Sequence, residues 1–433
     1  MKALHKISLP PRYGQPNELD AQVFMADGNM KSLADIQIGD TVFSISDKLT
    51  LVKDTVVQVG ETRSEFNYHL ELRNGQEMLI EESLGVRTFD GWRNAQSLDP
   101  EDYIVIPKKL PNTHEDTISS VEAKLLALWF AEGKKQSPEN FCFGYVDNAV
   151  LQECYEMAEE MSWALIPKIN TESHYIFIPN RLPGKLKNSI EETFTQPLHW
   201  LQQYTSTDVG TGTFRIPRCI WQASNEILAV FINRFFACDG YINRSGKNRN
   251  IQIKLNNKNF LADLQLLLSR FKIKSVVGYY PFAFENKVID QWRLTIGDME
   301  SVDIFINKIG ILGKEAGLQE ISAKIEQAKT SNSKTNVLPK QWRNHLKNTA
   351  WWFQKNHNLR ISKNGGTHPD KVKRCAEIEK NESLLQMVNA PIRWMPIKAI
   401  RKLDSEPRTS YRLQTRKYNN YFVQGFLIHG LSK

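Results

Sequence analysis

The sequence predicts an α+β protein in which an all-β unit is interrupted by a unit of helices and strands. Three observations predict it. Residues 21–110 alternate apolar and polar side chains between turn signals, from about Val121 the apolar period lengthens to that of helices, and about the last forty residues return to short strand-like runs.

The first run, AQVFMADGNMKSLADIQIGDTVFSI, alternates around Asp27-Gly28 and then Gly39-Asp40, which is hairpin chemistry. Further alternating segments follow at Asn67–Leu72, Met78–Thr88 and Tyr103–Pro107. VEAKLLALWFAEG then reads as a helix ending on Gly, and EILAVFINRFFACDG as a second with the same ending, a candidate internal repeat. After the second come the strand IQIKL, the helix KNFLADLQLLLSRF, strands around SVVGYY and QWRLTIG, and the helix MESVDIFINKIG. The first half lies over the same order as FCFGYV, the helix LQECYEMAEEMSW, HYIFIP and a helix near Lys185–Phe194. Between Ser331 and Arg374 ten Lys or Arg face one acid, Asp370, with Trp342, Trp351 and Trp352 interleaved. That segment reads either as an extra DNA-binding module or as a small helical insert with an aromatic core.

At 433 residues, 41% hydrophobic and 24% charged, the chain has enough apolar surface for two or three cores. It carries no apolar run long enough to span a bilayer, and MKALHKISLPPRYG has neither an apolar h-region nor a small-residue cleavage site, so the expectation is a cytoplasmic or nucleoid-associated protein. The five cysteines are scattered without a CxxC pair, which argues against a disulfide framework and a structural zinc site. A net charge of +8 favours a polyanionic partner, although proteins that never meet DNA share such a balance.

The chemistry sits in LLALWFAEG and INRFFACDG. Each is an apolar helix finishing on one carboxylate, Glu132 or Asp239, followed at once by Gly133 or Gly240. If the helices pack side by side, the carboxylates meet at one end of the interface, and like charges so close raise one pKa unless a divalent cation lies between them. Oxygen ligands of this kind suit Mg²⁺, which activates a nucleophile and clamps the leaving oxygen in phosphodiester hydrolysis. The bland reading is a helix cap with a solvated acid.

These two segments, with IPRCIWQASNEILAVF ahead of the second, resemble the paired motifs of LAGLIDADG homing endonucleases. The resemblance implies a pseudo-symmetric αββαββα endonuclease domain whose sheets form a saddle over double-stranded DNA, with one metal-binding acid per half. On that footing Glu132 and Asp239 are catalytic acids, Gly133 and Gly240 complete the Mg²⁺ set, and Arg215 and Lys314 are the basic residues by family position. Ala127 and Ala131 keep the small residues the helix contact needs, whereas Arg234 stands where Gly is usual, beside Cys238. Arg234 then either disturbs the interface or snorkels to the domain edge.

Alternation places Gln252 and Lys254 on one strand face, and Gln291, Arg293 and Thr295 on another; such side chains reach base edges in the major groove, or simply face water. Asn243, Arg244, Lys247 and Arg249 are expected at phosphates.

The flanks resemble the Hint fold of inteins and hedgehog autoprocessing domains. AQVFMADGNMKSLADIQIGDTVFS is similar to the first intein block, VRTFDGWRNAQSLDPEDYIVIPKKL to the segment after the block-B histidine, and YRLQTRKYNNYFVQGFLIHG to the last block. The residues that splice are replaced: Pro16 stands at the N-terminal nucleophile, Leu84 at the block-B histidine with Glu81 at its threonine, and Gly430 at the cyclising asparagine, while the penultimate His429 is kept. Without a nucleophile and a cyclising amide, acyl transfer and chain release have no starting point. ISLPPRYGQ resembles a terminase phosphate loop with Gln15 in place of the lysine, and is expected to bind no ATP.

The expected organisation is a leader (1–15), the N-terminal part of a Hint-like β domain (16–110), an inserted LAGLIDADG endonuclease domain (118–326, halves about 118–205 and 213–326), a basic helical segment (327–390) and the C-terminal part of the Hint-like domain (391–433). The expected activity is that of a monomeric, Mg²⁺-dependent, splicing-inactive double-stranded DNA endonuclease. The alternatives are a catalytically silent DNA-binding relic and an intein that still cleaves at one end.

Overall fold

A computed structural model describes residues 21–64, 68–100, 102–112, 117–133, 141–144, 146–168, 174–180, 196–205, 215–244, 249–284, 287–327, 338–361, 366–403 and 408–431. Pro16, Lys247, the expected helix near Lys185–Phe194 and the ISLPPRYGQ segment lie outside the described residues.

The first nine strands are β1 (Gln22–Phe24), β2 (Met30–Ser32), β3 (Thr41–Ile45), β4 (Leu51–Ser64), β5 (Tyr68–Leu72), β6 (Glu77–Ile80), β7 (Gly85–Thr88), β8 (Gly91–Asn94) and β9 (Tyr103–Pro107). Helix α1 (Ser120–Glu132) opens the interruption, followed by β10 (Cys142–Phe143), α2 (Asn148–Glu160), β11 (Trp163–Pro167), β12 (Tyr175–Pro179) and α3 (Gln196–Gln202). Next come α4 (Arg218–Gln222), α5 (Asn225–Asp239), β13 (Gly240–Asn243), β14 (Asn250–Leu255), α6 (Lys258–Leu268), β15 (Val276–Tyr279), β16 (Phe282–Phe284), β17 (Lys287–Ile289), β18 (Trp292–Ile296), α7 (Met299–Lys308) and α8 (Glu315–Gln327). The chain closes with α9 (Ala350–His357), α10 (Pro369–Glu379), α11 (Glu382–Asn389), β19 (Ile392–Lys402), β20 (Arg408–Thr415), β21 (Asn420–Val423) and β22 (Phe426–His429).

The fold is α+β, as expected. Both ends of the chain build one β unit: β21 pairs β1, β22 pairs β7, β19 lies between β9 and β5, and β20 runs antiparallel along β4. These strands alternate inward residues such as Val23, Leu70, Val86, Ile397, Leu413 and Ile428 into a shared core. Because the pairing joins residues 285 positions apart at Pro107–Ile392 and 400 apart at Val23–Val423, everything between β9 and β19 is an insertion by topology.

Inside the insertion, α1 and α5 are apolar nearly all round, and both are buried, which is the expected fate of such helices. Ser119 caps α1 in a reciprocal capping box with Glu122, and the Ser224 side chain caps α5 by accepting from Ile227 N. Phe260 of α6 packs on Phe130 of α1 and Phe235 of α5, with ring centroids 5.2 and 4.9 Å apart. Each half carries its own antiparallel sheet, β10-β12-β11 in the first and β13-β14-β18-β15 in the second.

One expectation differs. LQECYEMAEEMSW is not helical to its end: the helix stops at Glu160, Ser162 turns the chain at φ +57°, and Trp163 begins a strand paired with β12. The described helix after β12 is Gln196–Gln202. In the basic segment, Trp342 and Phe353 are fully buried and belong to the large core, while Trp351 is 66% exposed with the Lys355 ammonium over its ring.

Candidate functional site

Helices α1 and α5 pack side by side and end in the same way. Gly133 N donates to Trp129 O and Gly240 N to Phe236 O, and the chain leaves each helix in an extended conformation, Gly133 forming an isolated bridge to Phe143 and Gly240 opening β13 directly. A Cβ on Gly133 would come within 2.4 Å of Trp129 O, and on Gly240 within 2.4 Å of Phe236 O, so neither position accepts a side chain without movement. This turn sets the direction of Glu132 and Asp239 relative to one another.

The carboxylates are coupled. Burial first, and the Glu132 charge second, push the Asp239 carboxyl up to about 7, against the opposing pull of the Lys314 ammonium. The half-buried Cys238 thiol beside them is pushed well above its ordinary value by loss of hydration and by both acids, which keeps it unreactive.

Lys314 is brought to this end of α5: its Nζ donates to Gly240 O at 2.7 Å and to Phe236 O at 3.3 Å. The turn that carries it is held by Asn233, whose Nδ2 donates to Ile309 O (2.7 Å) and whose Oδ1 accepts from Leu312 N (2.9 Å). Gly310 and Gly313 supply the left-handed φ values of +70° and +75° in that turn. Asn233 was not singled out by the sequence reading; the signal was a lone amide inside the apolar run INRFF.

Arg215 is elsewhere. Its guanidinium makes a bidentate pair with the buried Asp263 of α6, Nε to Oδ2 at 2.8 Å and Nη2 to Oδ1 at 2.6 Å, while Ile216 N donates to the same carboxylate. Arg215 therefore anchors the entry to α4 and is not among the groups acting on Asp239. Arg234 does not invade the α1–α5 interface: it donates from Nε and Nη2 to Glu153 of α2 at 2.7 and 2.6 Å, and Lys124 of α1 reaches the same carboxylate at 2.8 Å.

The two carboxylates are oxygen donors of the kind Mg²⁺ takes, and a cation between them would offset the repulsion that, after burial, raises Asp239; the Gly240 carbonyl already accepts from Lys314 Nζ. Among the described residues no group of three His, Cys, Asp or Glu could hold a metal, so water and backbone oxygens would complete any shell.

The second sheet brings the expected face together. Register pairs Gln252 with Thr295 and Lys254 with Arg293, and Tyr241, 62% exposed, stands across from Gln252. Gln291 lies one position before β18, its carbonyl taken by Tyr280 N, and the Arg293 guanidinium stacks 3.6 Å over the Tyr280 ring. Asn243 is paired with Asn250 at the end of β13, and Arg244 and Arg249 lean toward α8 through Glu320 Oε2 and Lys324 O, each at 3.5 Å.

At the other centre, Leu84 is buried and Glu81 is engaged by Arg412 Nε (2.7 Å) and Ser410 Oγ (3.2 Å). His429 stacks edge-on against Trp92 with ring centroids 5.0 Å apart, and its Nδ1 lies 2.9 Å from Gly430 O. Gly430 N donates to Asn419 O, Leu431 N to Leu413 O, and Asn419 Nδ2 to Leu431 O. A Cβ at Gly430 would lie 2.2 Å from Asn419 Oδ1 and 2.5 Å from Leu413 O.

Comparison with known proteins adds lineage. The chain is 20% identical to the replicative DNA helicase DnaB of Nostoc sp. (strain PCC 7120 / SAG 25.82 / UTEX 2576) across 95% of this chain and 48% of that protein. It is 21% identical to the DnaB of Rhodothermus marinus across 77% of this chain and 37% of that one, so it spans less than half the length of either. Similar solved structures include the Ssp DnaB mini-intein variant M86 (23% identity, 21% of this chain and 60% of that one, TM-score 0.21). Mesophilic variants of the homing endonuclease I-DmoI also match (12% identity, 44% of this chain and 95% of that one, TM-score 0.28). The description Intein splicing domain matches residues 23–430, and the chain therefore belongs to that family.

Proposed function

We propose that the chain is an intein-derived, site-specific double-stranded DNA endonuclease that no longer splices. The observation that carries the first half is the meeting of Glu132 and Asp239 at the shared end of two buried helices, with Asp239 held at about 7 by burial and its neighbour. Glu132, Asp239 and the Gly133 and Gly240 carbonyls would hold Mg²⁺, which when bound polarises the scissile phosphodiester and its attacking water. Lys314, fixed by Asn233, adds a cation where charge develops on phosphate oxygens. Gln252, Lys254, Gln291, Arg293 and Thr295 would meet base edges, and Asn243, Arg244, Lys247 and Arg249 would meet phosphates. Two unequal halves in one chain read an asymmetric site without a second copy, so the protein would act as a monomer.

The loss of splicing is supported at Leu84, Glu81 and Gly430. An apolar side chain fills the histidine position, an ion pair occupies the threonine position, and the close approach at Gly430 leaves no room for a cyclising amide. The chain incubated with thiol should keep its mass.

The test is cleavage of a randomised double-stranded DNA library with Mg²⁺ by the wild type, Glu132→Gln and Asp239→Asn. Discrete cuts lost in both variants are expected; binding without cutting by the wild type would sink the nuclease reading and leave a DNA-binding relic.

A further inference from the structure

The tip of the β5–β6 hairpin is docked onto the inserted domain. Val277 N and Gln265 Nε2 both donate to Asn74 O at 3.0 Å, and Gln265 Nε2 also donates to Ser275 O at 2.9 Å. Gly75 has φ +82°, and a Cβ there would lie 1.8 Å from Val277 O, so the two backbones meet only because this residue is glycine.

Beside this seam is a cleft of about 490 Å³. The β unit contributes Arg73, Asn74 and Arg393 to its wall, and the inserted domain contributes Lys274, Ser275 and Asp298. Among the described residues one carboxylate lines it and is already committed: Asp298 accepts from Lys274 Nζ at 3.2 Å and from Ser301 N and Oγ at 3.2 and 2.9 Å. Glu300 is mostly exposed and lies 3.4 Å from the same Lys274.

Two of the polar atoms in the wall are not met. Arg393 Nε and Ser275 Oγ are sealed from solvent and have no hydrogen-bond partner. Burial holds the Arg393 guanidinium down at about 10, against the pull of Asp298 and Glu300, and the nearby Lys108 is lowered by burial and by Arg393. A largely dehydrated cation in a cleft wall is unfavourable by itself and is relieved by an anion that brings acceptor oxygens to the part of the guanidinium facing the cleft.

We propose that this cleft is a phosphate-binding site, shared by the β unit and the inserted domain, that takes a backbone phosphate of duplex DNA running off the edge of the β13-β14-β18-β15 face. The source follows from register: Thr295 pairs with Gln252 on one side and with Val276 on the other, and both Thr295 and Val276 line the cleft. The site stands on its own donors; only the identification of the phosphate as DNA rests on the endonuclease reading. The β unit would thereby extend the footprint beyond the inserted domain.

The test uses the full chain, with Arg73→Gln on the exposed rim and Arg393→Met in the wall. The first arm is thermal unfolding in inorganic phosphate against chloride of equal ionic strength. The second is the salt dependence of binding to a random duplex about 40 base pairs long, with Lys254→Gln as a control on the sheet face; each lost phosphate contact should reduce the log–log slope by about 1. Arg393→Met should unfold no earlier than the wild type in chloride, since removing an unmet buried charge does not cost stability, yet it should lose the added stabilisation by phosphate and lower the slope. Loss in the phosphate arm with an unchanged duplex slope overturns the DNA source and leaves a site for free phosphate. No change in either arm overturns the cleft. A wild type that binds no duplex sinks the endonuclease reading alone, because the phosphate arm still decides the site.

Discussion

Asp239 carries the clearest consequence at the scale of a residue. Its carboxyl titrates near 7 in the fold and at an ordinary value in the unfolded chain. Between those values the native state holds a proton that the unfolded state has released, so stability falls as pH rises through this window and the penalty is complete above it. Asp239→Asn should therefore stabilise the metal-free protein by roughly 2–4 kcal/mol at pH 8 and by almost nothing at pH 4. Urea midpoints at the two pH values measure this, and an equal gain at both would contradict the titration argument. Asn233 is the matching positioning residue for Lys314. Asn233→Leu should free the turn and lower the rate of cleavage at saturating DNA by about 10-fold, with DNA affinity nearly unchanged, if Lys314 stabilises developing charge.

Among elements, the contact between α1 and α5 depends on a third helix. Glu153 of α2 receives Arg234 from α5 and Lys124 from α1, so one carboxylate ties three helices together. Glu153→Gln should destabilise by about 2–4 kcal/mol because it leaves two partly buried cations without their counter-charge. Glu153→Leu combined with Arg234→Met should recover most of that loss; a double variant as unstable as the single one would mean the network is not the cause. The long apolar helices and their serine caps were legible in the chain, since capping and periodicity are local. β11 was not: WALIP continues a helical pattern, and only the left-handed turn at Ser162 and pairing with β12 make it a strand.

Across the whole molecule, strands from both ends zip into one β unit that carries the insertion, and the last strand is locked at its end. Gly430→Ala should destabilise by about 1–3 kcal/mol through the clash with Asn419 and Leu413 O. Thermal unfolding checks this, and an unchanged midpoint would show that the strand end yields. DNA affinity should fall steeply as salt rises, each neutralised phosphate releasing counterion; a salt-insensitive affinity would remove the DNA reading.

The sequence by itself determined the α+β class, the two helix ends with their acid and glycine, and the alternating polar strand face. Each of these is carried by local pattern or residue chemistry: period, cap and turn. Only the tertiary structure decided which cation reaches the acids. Lys314 and Arg215 looked alike in the chain, and Asp263 captured Arg215 across nearly fifty residues while the Asn233 turn delivered Lys314. The same holds for Arg234, whose pairing with Glu153 is a contact between helices, and for the β5–β6 seam, where close approach through Gly75 depends on two units meeting. Long-range ion pairs and backbone contacts of this kind leave no periodic trace, because their partners are chosen by packing rather than by spacing along the chain.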